Sequence, residues 1–163
     1  RSGDPAGVSA TLRPARFPED AATVRGLLRE YEAELGFDLC LQGFEQELLD
    51  LPGRYAEPQG GVWLACDEGG AFGCVAIRPY EGQGCEMKRL YVRKTHRSLQ
   101  VGRALAVRVV AEARLAGHPA MVLDTLETMD TARSFYRSLG FTEIPPYYPT
   151  PLEGVVCMRL ALR

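Results

Sequence analysis

The sequence predicts an α+β fold built on a mixed, mostly antiparallel seven-stranded sheet with four helices. Two observations support this prediction. The apolar runs 61–67 and 71–80 are separated only by "EGG", which is the signal of an antiparallel hairpin. Further along, the strand-like run 84–92, a helical segment and the apolar run 120–125 follow one another. A strand–helix–strand unit of this kind places its two strands parallel in one sheet.

The predicted strands are short segments rich in β-branched, aromatic and other apolar residues. They are 11–17, 61–67, 71–80, 84–92, 120–125, 141–144 and 154–162. The first of them is limited by Pro14, because proline cannot donate to a sheet. The short, apolar run 120–125 is typical of a buried strand.

The predicted helices are 19–35, 44–51, 102–116 and 128–139. In the first, Val24, Leu27 and Tyr31 fall on one helical face, and in the third, Leu105 and Val109 do the same. Residues that stop helices follow the four segments: Gly36, Pro52, Gly117 and Gly140. We expect Thr128 to cap the last helix.

Composition favours one ordinary globular domain. The 163 residues, of which 46% are hydrophobic, can bury a sizeable core, and no run approaches the roughly 20 apolar residues of a membrane helix. We expect residues 1–9 to be a loose N-terminal segment without the apolar stretch of a signal peptide, and residues 10–163 to be a single domain. The five scattered cysteines lack a CxxC pair, which favours reduced thiols in a cytoplasmic protein over a zinc site.

Positive charge is concentrated between positions 88 and 108, although the whole chain has a net charge of −2. This basic loop leads from a strand into a helix, and a helix start offers free N–H groups and the positive end of the helix dipole. It therefore predicts a site for a small anion such as a phosphate. The acidic chain as a whole argues against a nucleic-acid partner. A solvated charged surface is the alternative.

The chain contains neither a Walker loop, GxxxxGK[ST], nor a dinucleotide fingerprint, GxGxxG. The stretch "RLYVRKTHRSLQVGRAL" instead resembles the signature of the GCN5-related N-acetyltransferases (GNAT), in which a strand ending L-Y-V leads into R-G-x-G-x-G-x-x-L. Arg97, Gly102 and Leu105 match this pattern. Downstream, "LDTLETMDTARSFYRSLGF" is similar to the family's A-x-x-F-Y-x-x-x-G-F segment. The two motifs occur in the family's order, and the similarity covers about residues 11–162.

The resemblance implies that the central parallel strands splay apart at a site for acetyl-CoA, which serves as co-substrate without a metal. The implied cofactor-binding residues are Leu90, Tyr91, Val92, Arg97, Ser98, Leu99, Gln100, Val101, Gly102 and Arg103. Tyr136 would protonate the departing thiolate. The family usually has glycine at the positions of Ser98 and Gln100, and a non-glycine residue in left-handed backbone costs about 1–2 kcal/mol. We expect this departure to weaken the site without abolishing it.

Glu86 is the predicted general base. A lysine-like amine is almost fully protonated at pH 7, so the reaction needs a proton acceptor. Glu86 lies six residues before Val92, where some members of the family carry a glutamate base. Glu86 and Lys88 also share strand parity with the apolar Leu90 and Val92, so either a bulge switches faces or this end lines an open cleft. An exposed Glu–Lys pair on a solvated face is the alternative.

The acceptor pocket is expected to include Tyr147 and Tyr148, although an ordinary connector would have the same sequence. Acidic residues in the first helices would attract a cation: Glu30, Glu32, Glu34 and Asp38. The sequence thus predicts a cytoplasmic N-acetyltransferase that transfers an acetyl group from acetyl-CoA to a primary amine of a small molecule or protein. It predicts no nucleic-acid or membrane partner and leaves a homodimer open. A non-catalytic acyl-CoA-binding regulatory domain is the alternative function.

Overall fold

The computed structural model describes residues 10–36, 43–150 and 153–163. Their strands are β1 (Thr11–Pro14), β2 (Gly61–Asp67), β3 (Gly70–Tyr80), β4 (Gly84–Val92), β5 (Ala120–Leu126), β6 (Thr142–Ile144) and β7 (Val155–Ala161). Their α-helices are α1 (Ala21–Leu35), α2 (Phe44–Asp50), α3 (Val101–Leu115) and α4 (Asp130–Ser138), and two 3-10 helices cover Gly53–Tyr55 and Lys94–Leu99. The segment 1–9, Asp38 and Cys40 lie outside the described residues.

The described strands form one sheet in the order β1-β2-β3-β4-β5-β7-β6. Neighbouring strands are antiparallel except β4 and β5, which are parallel. This confirms the predicted mixed, mostly antiparallel sheet. The parallel pairing comprises only Cys85 opposite Met121 and Glu86 opposite Val122. Beyond this level β4 and β5 separate, so the sheet is split at its centre.

The sheet lies between two layers of helices. On one face, α3 buries Leu105 and Val109 in a core that also includes side chains of β4 and β5. On the other face, α1 and α2 bury Leu27 and Phe44 against β2 and β3. α1 ends at its predicted stop, Gly36, whose φ of 76° is readily adopted by glycine. Burial on both faces holds the two edges of the split in fixed positions.

A β-bulge in β4 explains the parity of its charged residues. The register between β3 and β4 shifts next to Arg89, whose φ is 61°. Leu90 and Val92 therefore pack in the core on the α3 side. Glu86 and Lys88 point to the opposite face, where α1 and α2 lie, because their β3 partners are on that face. The bulge is one of the two arrangements that the sequence left open.

Three predicted helix starts differ from the structure, that of α3 by a single residue, since it begins at Val101. The predicted Thr128 cap is wrong: α4 begins at Asp130 and has no side-chain cap. The N–H of Met129 bonds to the carbonyl of Leu126 at 2.9 Å, so this segment first closes a turn. α1 begins at Ala21 rather than at residue 19, because the Asp20 carboxylate accepts the Arg16 N–H at 2.7 Å and closes a turn there.

Within the described ranges, Cys74, Cys85 and Cys157 are buried and Cys66 is half-buried, all without disulfides. Burial raises the pKa of the Cys74 and Cys85 thiols to about 12, so both stay neutral. No helix in the described part of the chain is long and apolar enough to cross a membrane. The cytoplasmic location stays a prediction.

Candidate active site

A cleft of about 1190 Å³ opens where β4 and β5 separate. Its volume is slightly larger than that of most small-molecule sites, about 300–1,000 Å³, which leaves room for a large ligand or for two substrates. Residues of β4, the basic loop and the first turn of α3 form one side. Residues of β5, α4 and the C-terminal end of α1 form the remainder.

Most of the predicted cofactor-binding residues line this cleft: Leu90, Tyr91, Val92, Arg97, Gln100, Gly102 and Arg103. The Val101 side chain is instead buried in the core, with 2% exposure, so only its backbone can contribute to a site. The backbone of Ser98 and Leu99 belongs to the 3-10 helix before α3. The motif thus brings its backbone and most of its side chains to one edge of the split.

Backbone groups supply the features that suit an anionic, extended ligand such as acetyl-CoA. α3 begins at Val101 without a side-chain cap, so its first N–H groups are available to phosphate oxygens. Gln100 holds the left-handed conformation (φ 55°, ψ 27°) that such loops usually assign to glycine. Beyond Glu86, β4 has no ladder partner on its β5 side among the described residues, which leaves polar backbone groups for a pantetheine arm.

Carboxylates of α1 neutralise much of the basic loop. Arg93 donates from Nε and Nη2 to the Glu30 carboxylate at 2.8 and 2.7 Å. Arg97 donates from Nε to the Val92 carbonyl at 2.8 Å and from Nη2 to Glu34. Two of the acidic residues expected to attract a cation therefore bind the protein's own arginines. The anion site consequently depends more on backbone N–H groups than the charge of the sequence suggests.

Tyr136 lies on α4 and lines the cleft. Its ring packs against Phe135 and Phe141, with centroid distances of 5.2 and 5.9 Å. Burial, with smaller effects from Tyr31 and Asp124, raises the pKa of the Tyr136 phenol. The hydroxyl therefore stays protonated at neutral pH and can act only as a proton donor there.

Glu86 lies at the last paired level of the sheet, one step before the split, and is 1% exposed. Arg78 donates to one of its carboxylate oxygens at 2.8 Å, and the Tyr147 hydroxyl donates to the other. Burial and then the charge of Glu86 raise the pKa of Tyr147, so this phenol remains a donor. Glu86 and Tyr147 are both absent from the described lining of the cleft. We call Glu86 and Tyr147 the closed pair.

Asp124 on β5 and Tyr148 both line the cleft, and the Tyr148 hydroxyl donates to the Asp124 carboxylate. Burial, followed by the hydrogen bond to Asp124, raises the pKa of Tyr148, so the phenol carries no charge to neutralise the carboxylate. We call Asp124 and Tyr148 the open pair. Two consecutive tyrosines thus bind two carboxylates, but only one of these carboxylates faces the cleft.

Asp124 and Lys88 are site residues that sequence analysis did not select. Glu86 is opposite Val122 in the parallel pair, so continuing this register places Lys88 and Asp124 at the next level on the same face. The strands separate at that level, and both residues line the cleft from opposite edges of the split. The sequence signal that could have identified Asp124 is a charged residue inside an otherwise apolar run. In the β4–β5 register it falls on the same face as Glu86 and Lys88.

Comparison with known proteins identifies the family. A model of the acetyltransferase (GNAT) domain matches residues 58–143, which is more than half of the chain. An uncharacterized N-acetyltransferase of Schizosaccharomyces pombe is 40% identical over 154 residues, covering 93% of this chain and 94% of that protein. The chain belongs to the GNAT acetyltransferase family. The resemblance carried by the two motifs is thereby confirmed.

Solved structures of GNAT proteins share the fold. An acetyltransferase of the GNAT family from Staphylococcus aureus Mu50 aligns with a TM-score of 0.77 at 18% identity, covering 95% of this chain and 100% of that chain. An acetyltransferase from Salmonella typhimurium, solved with its cofactor acetyl-CoA, aligns with a TM-score of 0.65 at 21% identity over 94% of both chains. The family match and the N-acetyltransferases among the relatives support an acetyl-CoA-dependent acyltransferase.

Proposed function

We propose that this GNAT protein transfers the acetyl group of acetyl-CoA to a primary amine of a small molecule or a protein. The observation that supports this proposal is the asymmetry of the cleft. One side offers an uncapped helix start and an unpaired strand edge. The other offers the Asp124 carboxylate, whose hydrogen-bond partner is a neutral phenol. The first suits an anionic thioester donor, and the second suits an ammonium ion.

Acetyl-CoA would be held mainly by backbone groups on the first side. N–H groups from Val101 to Arg103 would bind the pyrophosphate, and the free edge of β4 at Leu90 and Val92 would bind the pantetheine arm. Arg103 is the cation best placed to assist, because within the described ranges its guanidinium donates only to the neutral Ser138 hydroxyl, at 3.1 Å. Arg97 would have to share its guanidinium with Glu34.

The amine would enter as an ammonium ion and must lose a proton before it attacks the thioester carbon. We call the sheet face that α1 and α2 cover the acceptor face, and one of its two carboxylates, Asp124 or Glu86, is proposed as the proton acceptor. Asp124 is in the cleft and needs no rearrangement. Glu86, the candidate from sequence, lies one level deeper and would act through a water molecule or after Tyr147 turns away. The geometry favours Asp124, because a base must reach the proton that it removes.

The transfer itself needs one further group. As the amine nitrogen forms its bond to the acetyl carbon, the carbon–sulfur bond of the thioester breaks and the sulfur leaves as a thiolate. We propose that Tyr136 gives its proton to this thiolate, since the phenol lines the cleft and stays protonated. The amine nitrogen loses two protons in all. The carboxylate takes the first before the attack and passes it to solvent, and the second, released as the amide forms, returns through solvent to the Tyr136 phenolate. The net products are the amide, the thiol of CoA and one proton.

A non-catalytic acyl-CoA-binding domain is the second candidate, favoured by the left-handed backbone of Gln100, which strains the phosphate loop. Calorimetric titration with acetyl-CoA, followed by an assay of thiol release with a panel of amines, separates the two. Amine-dependent thiol release supports the acetyltransferase. Binding without release for any amine supports the regulatory domain, and no binding contradicts both.

A further inference from the structure

The acceptor face carries two charged side chains, Lys88 and Asp124, that form no salt bridge among the described residues. The other cations of this face are paired: Arg78 with Glu86 at 2.8 Å and Arg89 with Glu47 at 3.0 Å. Lys88 makes no hydrogen bond or salt bridge among the described residues, and the opposite charges that act on it are those of Asp124 and Glu86. Asp124 is bonded to the neutral Tyr148. The face therefore presents one ammonium and one carboxylate that attract each other across the cleft but form no salt bridge in the described part of the chain.

These two charges stand on opposite edges of the split. Lys88 lies two residues beyond Glu86 on β4, and Asp124 lies two residues beyond Val122 on β5, at the level where the strands part. Both line the cleft, on the face that α1 and α2 cover. The bulge at Arg89 fixes this orientation, because without it Lys88 and the apolar Leu90 would share one face.

We propose that the acceptor of this GNAT protein is an amine that also carries a carboxylate, with its ammonium on Asp124 and its carboxylate on Lys88. The inference rests on the proposed acetyl transfer to an amine and specifies its substrate class: amino acids and related zwitterions. A ligand with both charges would satisfy both edges of the split, whereas a simple amine would leave Lys88 half-buried and unpaired.

The electrostatic state of Lys88 is consistent with this arrangement. Burial is the largest influence on Lys88 and lowers the pKa of its ammonium, while the charges of Asp124 and Glu86 act in the opposite direction. The lysine is therefore a cation that its own surroundings do not fully stabilise. A carboxylate from the acceptor would supply the missing stabilisation through a charge-assisted hydrogen bond.

The test compares acceptors that differ only in the carboxylate. Phenylalanine, leucine and 4-aminobutyrate are each assayed beside the corresponding amide, and kcat/KM for acetyl transfer is measured as a ratio of acid to amide. Wild-type enzyme should prefer at least one acid, and Lys88→Met should lower that ratio by about tenfold or more, the effect of one hydrogen bond to a charged group. Lys88→Arg should retain most of the preference.

The chain supplies a matched control. Lys94→Met removes the only other lysine, from an exposed position in the basic loop. It should leave the acid-to-amide ratio unchanged whatever it does to acetyl-CoA binding. Because the intrinsic reactivity of each acceptor is the same in every variant, the change in ratio reports the contact with residue 88 alone. Thermal unfolding of each variant checks that it is folded.

The outcomes distinguish this inference from the proposed function. If the wild-type enzyme acetylates amides as well as acids, or if Lys88→Met lowers both equally, the carboxylate assignment is overturned while the acetyltransferase stands. If the enzyme binds acetyl-CoA but acetylates none of these amines nor any of the carboxylate-free amines of the wider panel, both proposals fail.

Discussion

The two sides of the split sheet, which we call the cofactor side and the acceptor side, differ in how far the protein pairs their charged side chains. On the cofactor side, Arg93 and Arg97 are paired with carboxylates of α1, and the groups left available are mostly backbone N–H groups. On the acceptor side, Lys88 and Asp124 face the cleft without a salt bridge among the described residues. Several backbone groups share the binding of acetyl-CoA, whereas the binding of the amine depends on one or two side chains. Substitutions should therefore have small effects on the cofactor side and large effects on the acceptor side.

The largest effect is expected at Asp124. Asp124→Asn keeps the size and the hydrogen bond from Tyr148 but removes the charge that receives the ammonium and its proton. The value of kcat/KM for the amine should fall by about 10²- to 10⁴-fold at neutral pH, with acetyl-CoA affinity nearly unchanged. Steady-state kinetics and calorimetry measure the two quantities. A similar loss of acetyl-CoA affinity would show that Asp124 does not belong to the acceptor side alone.

The second-largest loss of activity is expected at Tyr136, which acts only on the departing thiolate. We expect Tyr136→Phe to lower kcat by about 10²-fold with little change in acetyl-CoA affinity. Phe135→Leu is the matched control, since it changes the adjacent ring without removing a hydroxyl. If the Phe variant at position 136 is as active as wild type, the tyrosine contributes packing alone.

The closed pair should affect stability more than activity. Glu86→Gln leaves the Arg78 guanidinium without a charged partner in a buried site, so we expect a loss of about 2 kcal/mol in the free energy of unfolding. The accompanying loss of kcat/KM should stay below about tenfold. Urea denaturation compares the stability of Glu86→Gln with that of Glu112→Gln. The latter breaks the more exposed i,i+4 pair with Arg108 and should lower the free energy of unfolding by about 0.3 kcal/mol. Equal stability losses in the two variants would show that the buried pair of Glu86 with Arg78 is no more important for stability than an exposed pair.

On the cofactor side, Gln100→Gly removes a side chain from left-handed backbone. Acetyl-CoA affinity should be unchanged or tighter by tenfold at most, because the strain relieved is about 1–2 kcal/mol. Titration calorimetry gives the dissociation constant. Weaker binding would mean that the glutamine side chain itself contacts acetyl-CoA, contrary to a site built from backbone groups.

The smallest effect is expected for Glu30→Gln, which breaks an exposed pair with Arg93 and should cost about 0.5 kcal/mol of stability. The hydrogen bond from Arg93 lowers the pKa of the Glu30 carboxyl. A lowered folded-state pKa gives stability that is present above the unfolded value and is lost as pH falls through the folded value. The difference between wild type and variant should therefore shrink in acid, as denaturation at neutral and low pH would reveal. Acetyl-CoA affinity should change less than threefold.

The sequence was most informative where neighbouring residues in the chain act together. The strand–loop–helix motif around Arg97 and Gly102 identified the family, and the parity of Glu86 and Lys88 indicated either a bulge or an open cleft. Asp124 was missed because its position depends on the register between β4 and β5, which comes from pairing between distant residues. The charge count of the loop was misleading for the same reason, since Glu34 reaches Arg97 only in the folded chain.

The most direct test of the central claim is the pH dependence of kcat/KM for wild type, Asp124→Asn and Glu86→Gln with one accepted amine. If Asp124 takes the proton, kcat/KM of the Asp124→Asn variant should be low at neutral pH. It should recover as pH rises, because more of the amine is already neutral. The Glu86 variant should then follow the wild-type profile with a small uniform drop. Recovery at high pH in the Glu86 variant, with a parallel profile for Asp124→Asn, would contradict the account and assign the base to Glu86.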